Sequence, residues 1–124
     1  VKVHVGQLPT LTADRTALEQ VFGNLINNAV IYLDPKRPGE LEIRAEHTPE
    51  GFLFQVRDNG RGISPEDLPL VFLPFRRGKA SDVPGEGLGL AVVQALVRRH
   101  SGRIWVESTP DKGTTFFINI PAHL

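Results

Sequence analysis

The sequence predicts an α+β fold in which about three helices cover one face of a mixed, mostly antiparallel sheet of about five strands. Short segments with alternating apolar residues, typical of strands, occur at the start, middle and end of the chain. Two longer segments carry apolar residues at the helical spacing i, i+3, i+4, i+7. The order is strand, helix, two strands, helices, two strands, and two packed layers are the economical arrangement for it.

The first two elements are a strand and a long helix. Val1, Val3 and Val5 alternate with polar residues and predict an edge-like strand that ends at Gly6. Asp14 is expected to cap the helix that follows. The apolar positions of this helix are Leu18, Val21, Phe22, Leu25, Ile26 and Ala29.

The same helix carries a polar stripe. Asn24, Asn28 and Tyr32 are four residues apart and share one face. Asn is unfavourable inside a helix because its side chain competes for the backbone, so these residues need a reason. An amide oxygen can complete a Mg²⁺ sphere that is otherwise made of phosphate oxygens and water. The alternative is that the amides are exposed or satisfy local backbone groups, but the spacing favours ligand binding.

A β-hairpin is predicted after the Pro- and Gly-rich loop at 34–39. Residues 41–45 and 52–56 alternate apolar with polar side chains, and the return strand ends at Asp58. Gly60 and Gly62 then form a tight loop. The triplet Asp-Asn-Gly is by itself typical of a turn. The alternative interpretation is a strand-end carboxylate that faces a pocket and accepts hydrogen bonds from an amino group.

The segment between the hairpin and the second long helix is mixed in character. Ser64, Pro65 and Asp67 predict a short helix that begins with a capping box. Residues 72–78 hold two Phe and two Arg, the pattern of core Phe beside solvated Arg. Residues 79–84 are polar and end on Pro, a composition typical of a mobile lid.

A glycine loop precedes the second long helix, which is predicted over 91–101. Gly85, Gly87 and Gly89 leave backbone N–H groups free to close on a bulky anion where the helix dipole begins, which indicates a polyphosphate. A flexible turn is the alternative. A dinucleotide fold would need Gly or Ala at the position of Leu90, and a P-loop would need Gly-Lys-Ser/Thr.

The last elements are two strands. Gly102 is expected to end the helix, whose final turn carries cations that suit the helix dipole. Residues 104–106 and 114–120 predict strands around a turn at 109–113, and the second strand buries one face. The residues of that face are Thr114, Phe116, Ile118 and Ile120.

Length and charge narrow the function classes. The 124 residues suit a single domain, 1–124, and the abrupt start on a strand indicates a piece of a longer protein. Fourteen basic residues balance fourteen acidic ones, so no bulk field draws the chain to nucleic acid or to a membrane surface. The absence of Cys excludes disulfides and zinc–thiolate sites and suits a cytoplasmic location. No signal peptide or membrane-spanning segment is expected.

Four motifs then combine, in this order: the helix with Asn24 and Asn28, Asp58-x-Gly60-x-Gly62, Phe72-x-x-Phe75-x-Arg77, and Gly85-x-Gly87-x-Gly89. Together they resemble the catalytic and ATP-binding domain of sensor histidine kinases, within the superfamily that also holds gyrase, Hsp90 and MutL ATPases. The resemblance runs from about Leu11 to Pro121, and the tail is similar to the histidine-kinase branch. It implies a two-layer α/β sandwich of the Bergerat type.

The resemblance implies an adenine pocket. Asp58 would bind the adenine amino group, and Thr114 would approach Asp58 directly or through water, with Thr115 as a close competitor. The remaining adenine contacts would come from Tyr32, Ile63 and Leu88.

The resemblance also implies a phosphate site. Asn28 would ligate Mg²⁺, Asn24 would lie near the phosphates, and Arg77 would reach the γ-phosphate of ATP. The glycines that would shape the pocket and lid are Gly60, Gly62, Gly85, Gly87 and Gly89. One position departs from the family, because Ile31 stands where a Lys often precedes the aromatic residue. A phosphate contact is therefore missing, for which Arg76 or Lys79 is a candidate substitute.

The implied function is an ATP-dependent protein-histidine kinase domain. Its substrate histidine would lie on a separate dimerisation domain of the same parent protein, with a response regulator as an indirect partner. None of the four histidines of this chain lies in the helical context of such an acceptor; they are His4, His47, His100 and His123.

Three rival functions stay open. An ATP-hydrolysing clamp of the gyrase or Hsp90 type would carry a Glu base at the position of Asn24. An anti-sigma Ser/Thr kinase shares the fold, although the tail and the Phe segment favour the histidine-kinase branch. A non-catalytic module that has lost nucleotide is favoured by Ile31 alone.

Overall fold

The computed structural model describes residues 2–5, 15–49, 51–73 and 89–121. The helices are α1 (Arg15–Ile31) and α2 (Gly89–Arg99), and a 3₁₀ turn covers Leu68–Leu70. The strands are β1 (Lys2–Val5), β2 (Glu40–Thr48), β3 (Gly51–Asp58), β4 (Arg103–Thr109) and β5 (Gly113–Pro121).

The five strands form one sheet in the order β1-β2-β3-β5-β4. β1 pairs parallel with β2 at one edge, and the other neighbours are antiparallel. The predicted mixed, mostly antiparallel sheet is therefore confirmed. Its register pairs Asp58, the last residue of β3, with Leu41 on one side and with Thr114 on the other.

The core lies between the two helices and one face of the sheet. Alternate residues of β5 are buried, as predicted, because successive side chains of a strand point to opposite faces. Leu25 of α1, Val93 of α2 and Ile118 of β5 have no solvent exposure and belong to one apolar cluster. The rings of Phe22 and Phe54 meet edge to face at 5.2 Å between α1 and β3. The helices thus cover one face of the sheet, which completes the predicted two-layer fold.

The short helix predicted from Ser64 is not formed as an α-helix. The N–H groups of Asp67 and Leu68 both reach the Ser64 carbonyl at 3.0 Å, and the chain then continues as the 3₁₀ turn. Pro69 has no N–H with which to extend an α-helix, which explains the change. The serine half of the predicted capping box is not formed either, because the buried Ser64 Oγ has no hydrogen-bond partner among the described residues.

Helix α2 begins and ends two residues before the predicted 91–101, and the conformation after its end also differs from the prediction. The left-handed residue after the helix is Ser101, with a φ of 60°, and not Gly102. The N–H of Gly102 donates to the Val97 carbonyl at 2.9 Å, which closes the helix end. A Cβ on Gly102 would press against the backbone carbonyl of Asn119, so this glycine is needed for its close approach to β5.

Candidate functional site

Asp58 is a buried carboxylate at the end of β3. Its side chain and that of Thr114 are the buried polar groups of the described part of the chain, and Asp58 is only 5% exposed. Burial raises the pKa of the Asp58 carboxyl above its ordinary value, and hydrogen bonds from the backbone N–H groups of Gly60 and Thr114 partly offset that rise. A carboxylate can accept about four hydrogen bonds, so Asp58 can still accept a hydrogen bond from a ligand.

The turn after Asp58 fits closely against two other parts of the chain. A Cβ on Gly60 would overlap the carbonyl oxygen of Tyr32, and one on Gly62 would overlap the carbonyl of Thr109. Gly62 also has a φ of 74°, which disfavours any side chain. The Arg61 N–H donates to the same Tyr32 carbonyl at 3.0 Å. Both glycines are therefore required by the packing of the turn between the end of α1 and the β4–β5 hairpin.

A serine hydroxyl connects the turn to that hairpin. Ser108 Oγ accepts a hydrogen bond from the Ile63 N–H at 2.7 Å and donates to the Gly113 carbonyl at 2.9 Å. It also lies 2.8 Å from Thr114 Oγ1. If Ser108 donates to Gly113, its remaining lone pair accepts the Thr114 proton, which leaves the Thr114 oxygen as an acceptor. Sequence reasoning missed Ser108, because its contact with Ile63 spans 45 positions of sequence.

The structure separates Thr114 from its competitor Thr115. Thr114 is the cross-strand partner of Asp58 and is buried on the face that carries Asp58. Thr115 pairs with Arg57 and points to the opposite face of the sheet. Thr114 is therefore the threonine beside Asp58.

The asparagine stripe lies beside the start of α2. Asn24 and Asn28 are partly buried and follow each other by one helical turn, and the chain leaves α1 just before Tyr32. The Tyr32 N–H still donates to the Asn28 carbonyl at 3.1 Å, so Tyr32 stays close to the helix end. A Cβ on Gly89 would lie 3.8 Å from Cγ of Asn24. Gly89, the last glycine of the predicted loop, therefore lies next to the asparagine helix at Asn24.

Part of the predicted site lies outside the described residues. This applies to the lid predicted at 79–84, to the candidate substitutes Arg76 and Lys79, and to four predicted site residues. Those four are Arg77, Gly85, Gly87 and Leu88. Ile31, the departure from the family pattern, is the last residue of α1 and is partly buried.

The described residues contain no group of three or more His, Cys, Asp and Glu side chains that could hold a metal ion. Mg²⁺ needs near-octahedral oxygen coordination and keeps several waters or phosphate oxygens in most nucleotide sites. The neutral Asn28 amide fits the role of one ligand in such a site, with most of the negative charge supplied by the nucleotide.

A family model for the histidine kinase-, DNA gyrase B- and HSP90-like ATPases matches residues 13–124. The chain belongs to this ATPase family. The match includes the asparagine helix, the Asp58 turn and the β4–β5 hairpin described above.

Relatives of this ATPase domain include much longer proteins. It is 37% identical over 121 residues to the phytochrome-like protein Cph1 of Synechocystis sp., covering 97% of this chain and 16% of that protein. It is 39% identical over 120 residues to the adaptive-response sensory kinase SasA of Synechococcus elongatus, covering 95% of this chain and 30% of that protein. The chain therefore spans less than a third of either relative.

Solved structures of histidine kinases share the fold. The mycobacterial sensor histidine kinase MprB superposes with a TM-score of 0.85 at 29% identity, covering 97% of this chain and 82% of that one. Full-length ShkA in complex with AMPPNP superposes with a TM-score of 0.83 at 29% identity, covering 97% of this chain and 25% of that one. Together with the family match, these similarities make the chain an ATP-binding catalytic domain of the sensor-kinase type. Within the described residues, no helix combines the length and apolar character needed to cross a bilayer.

Proposed function

We propose that residues 1–124 form the ATP-binding catalytic unit of a longer sensor histidine kinase. This unit transfers the γ-phosphate of Mg-ATP to a histidine on a separate dimerisation domain of the same parent protein. The observation that carries this proposal is the amide of Asn24 next to the start of α2, in the helix position where clamp ATPases carry a glutamate. An amide cannot deprotonate water, so the site is suited to phosphoryl transfer rather than to rapid hydrolysis.

The adenine end of the site is built around Asp58. Its buried carboxylate accepts a hydrogen bond from the adenine amino group, and Thr114 approaches Asp58 directly or through water. Gly60 and Gly62 let the turn lie close against its neighbours. The side chains that line the base are Tyr32, Ile63 and Leu88.

The phosphate end of the site lies between α1 and α2. Asn28 holds Mg²⁺, Asn24 lies near the phosphates, and Arg77 reaches the γ-phosphate. Bound Mg²⁺ offsets the negative charge of the phosphate oxygens during transfer. Backbone N–H groups at the start of α2 add a favourable dipole. The loop glycines of this end are Gly85, Gly87 and Gly89.

The acceptor histidine comes from another domain. The Nδ1 atom of His100 lies 2.8 Å from the Leu96 carbonyl at the end of α2, and His47 stacks on Phe52 at 4.8 Å. Both rings are thus engaged in local contacts and lie outside the Asp58 turn and the asparagine stripe. A neutral imidazole is a better nucleophile than water and needs no strong base. A response regulator then receives the signal in the cytoplasm, where ATP is available.

Two measurements on this domain separate the proposal from its rivals. Mg-ATP is expected to raise the melting temperature, because a ligand that binds only the native state stabilises it. Release of inorganic phosphate by the domain alone is expected to be very slow. Rapid release would instead favour the hydrolysing clamp. A melting temperature that does not change at millimolar nucleotide would favour the non-catalytic module, for which Ile31 is the motivating residue.

A further inference from the structure

Two side chains fasten the loop between α1 and β2 to the turn that follows Asp58. Arg37 donates from Nε to the Asn59 carbonyl at 2.8 Å and from Nη2 to the Gly60 carbonyl at 2.6 Å. In the other direction, Asn59 donates from Nδ2 to the Pro38 carbonyl at 2.9 Å and accepts at Oδ1 from the Glu40 N–H at 2.8 Å. Four hydrogen bonds therefore join two segments that lie about 20 positions apart in sequence.

The Arg37 side chain is held in the orientation that these contacts need. Its Nη2 atom lies 4.0 Å from Asp34 Oδ2, and the other carboxylate oxygen of Asp34 accepts the Lys36 N–H at 2.9 Å. The side chain of Arg37 is 34% exposed and that of Asp34 is 13% exposed, so the pair is partly shielded from water. A guanidinium presents its donors in a rigid plane and can serve two successive carbonyls, whereas a lysine ammonium is a single point of charge.

One peptide group connects Arg37 to the carboxylate of Asp58. The peptide between Asn59 and Gly60 accepts the Arg37 Nε–H at its oxygen, and its N–H donates to Asp58 Oδ1 at 2.8 Å. A positive charge at the oxygen of a peptide polarises the group and strengthens the bond made by its N–H. The guanidinium, the peptide and the carboxylate therefore form one chain of hydrogen bonds that ends on Asp58.

We propose that Arg37 is a positioning residue for base recognition: it fixes the 59–60 peptide so that the Asp58 carboxylate faces the amino group of adenine. The inference rests on the proposed adenine role of Asp58 and adds a residue that itself does not contact the nucleotide. A purely structural Arg37 would stabilise the loop and affect every nucleotide alike. A positioning Arg37 affects the nucleotides that offer an amino group to Asp58.

The test compares ATP with inosine triphosphate, which carries an oxygen in place of the adenine amino group. Titration calorimetry with each nucleotide and Mg²⁺ would be run on the parent chain, Arg37→Ala, Arg37→Lys and Arg44→Ala. Arg44 is the matched control, because it also pairs with a carboxylate but lies exposed on β2, away from the turn. Melting curves of each variant would report folding separately.

The parent chain is expected to bind ATP more tightly than inosine triphosphate. Arg37→Ala is expected to weaken ATP binding by about tenfold and inosine triphosphate binding by less than about twofold. Arg37→Lys should recover part of the loss, and Arg44→Ala should bind as the parent does. In an Asp58→Asn background, Arg37→Ala should cause little further loss, because the two residues act through one contact.

Equal weakening of both nucleotides by Arg37→Ala would overturn the positioning role, and so would losses that simply add in the double variant. If Arg37→Ala does not fold, the same comparison with Arg37→Lys decides the question, because lysine cannot serve both carbonyls. A parent chain that binds ATP without any preference over inosine triphosphate would reject the adenine role of Asp58 and the Arg37 proposal together. ATP preference with an unaffected Arg37→Ala variant would reject Arg37 alone.

Discussion

Asp58 is the residue on which the proposed nucleotide site depends. The fold buries its carboxylate at the end of β3, and its partners among the described residues are backbone N–H groups and not a basic side chain. Burial disfavours the charged form of the carboxyl group, and a ligand that supplies a further hydrogen-bond donor would favour that form. We therefore expect the ionised Asp58 carboxylate to lower the stability of the free protein and to contribute affinity when nucleotide binds.

Asp58→Asn is expected to weaken ATP binding while the fold stays intact. A charge-assisted hydrogen bond to the adenine amino group is worth about 1.5 to 3 kcal/mol, and an amide both weakens it and can present its NH₂ end. Titration calorimetry measures the loss, with Asp111→Asn as a control on the exposed β4–β5 turn. An Asp58→Asn variant that binds ATP within a factor of two of the parent would remove Asp58 as the adenine anchor.

The raised pKa of Asp58 also predicts how stability depends on pH. The folded protein holds the Asp58 proton more tightly than the unfolded chain does, because the ordinary pKa of an Asp carboxyl is 3.8 and burial raises it. The stabilisation from the protonated carboxyl is therefore complete below that pH and is lost as pH rises through the higher folded value. Relative to the parent, Asp58→Asn should gain free energy of unfolding between pH 3 and pH 7. Urea unfolding at a series of pH values measures this difference, and a constant difference would contradict the effect of burial.

Helix α1 has a buried apolar face, and the proposed function assigns ligand binding to another face of the same helix. Leu25 has no solvent exposure, so Leu25→Ala is expected to lower the free energy of unfolding by about 2 to 5 kcal/mol. Asn27 is exposed on the same helix, and Asn27→Ala should change the free energy of unfolding by less than about 0.5 kcal/mol. Denaturant unfolding of both variants checks the assignment. Similar costs for the two substitutions would mean that the buried face of α1 has been wrongly identified.

The binding face of α1 predicts that Mg²⁺ binds appreciably only together with nucleotide. In the proposed site Asn28 would supply one neutral oxygen, and Mg²⁺ gives up its water reluctantly, so phosphate oxygens must provide the negative charge. Calorimetric titration of Mg²⁺ into the nucleotide-free protein should give no measurable heat of binding. Binding that is seen without nucleotide and is lost in Asn28→Ala would show that the protein alone makes the metal site.

At the scale of the whole molecule, most of the fold could be predicted because its signals are local. Alternation in β2, β3 and β5 and the helical spacing around Leu25 depend on which side chains face the core, and neighbouring positions report this directly. The end of β3 at Asp58 and the burial of one face of β5 were predicted correctly for this reason.

The structure differs from the sequence predictions where distant parts of the chain determine the local conformation. A 3₁₀ turn at Pro69 replaces the α-helix predicted from Ser64. Gly102 is required by the close approach of β5, while Ser101 takes the left-handed conformation at the end of α2. In the site, the contacts of Arg37 and Ser108 depend on the sheet register, which brings together segments far apart in sequence. Such contacts leave no periodic signal in a single sequence.

Transfer of label from γ-labelled ATP tests whether this domain phosphorylates a histidine on a partner domain. This domain would be incubated with Mg-ATP alone and then with a dimeric helical domain that carries the acceptor histidine. We expect almost no phosphate release without the partner. With the partner we expect a labelled histidine, recognised by a phosphoryl group that is stable to alkali and lost in acid. Replacing the acceptor histidine by glutamine should abolish the label. Label on serine or threonine, or rapid phosphate release by the domain alone, would contradict the histidine-kinase assignment.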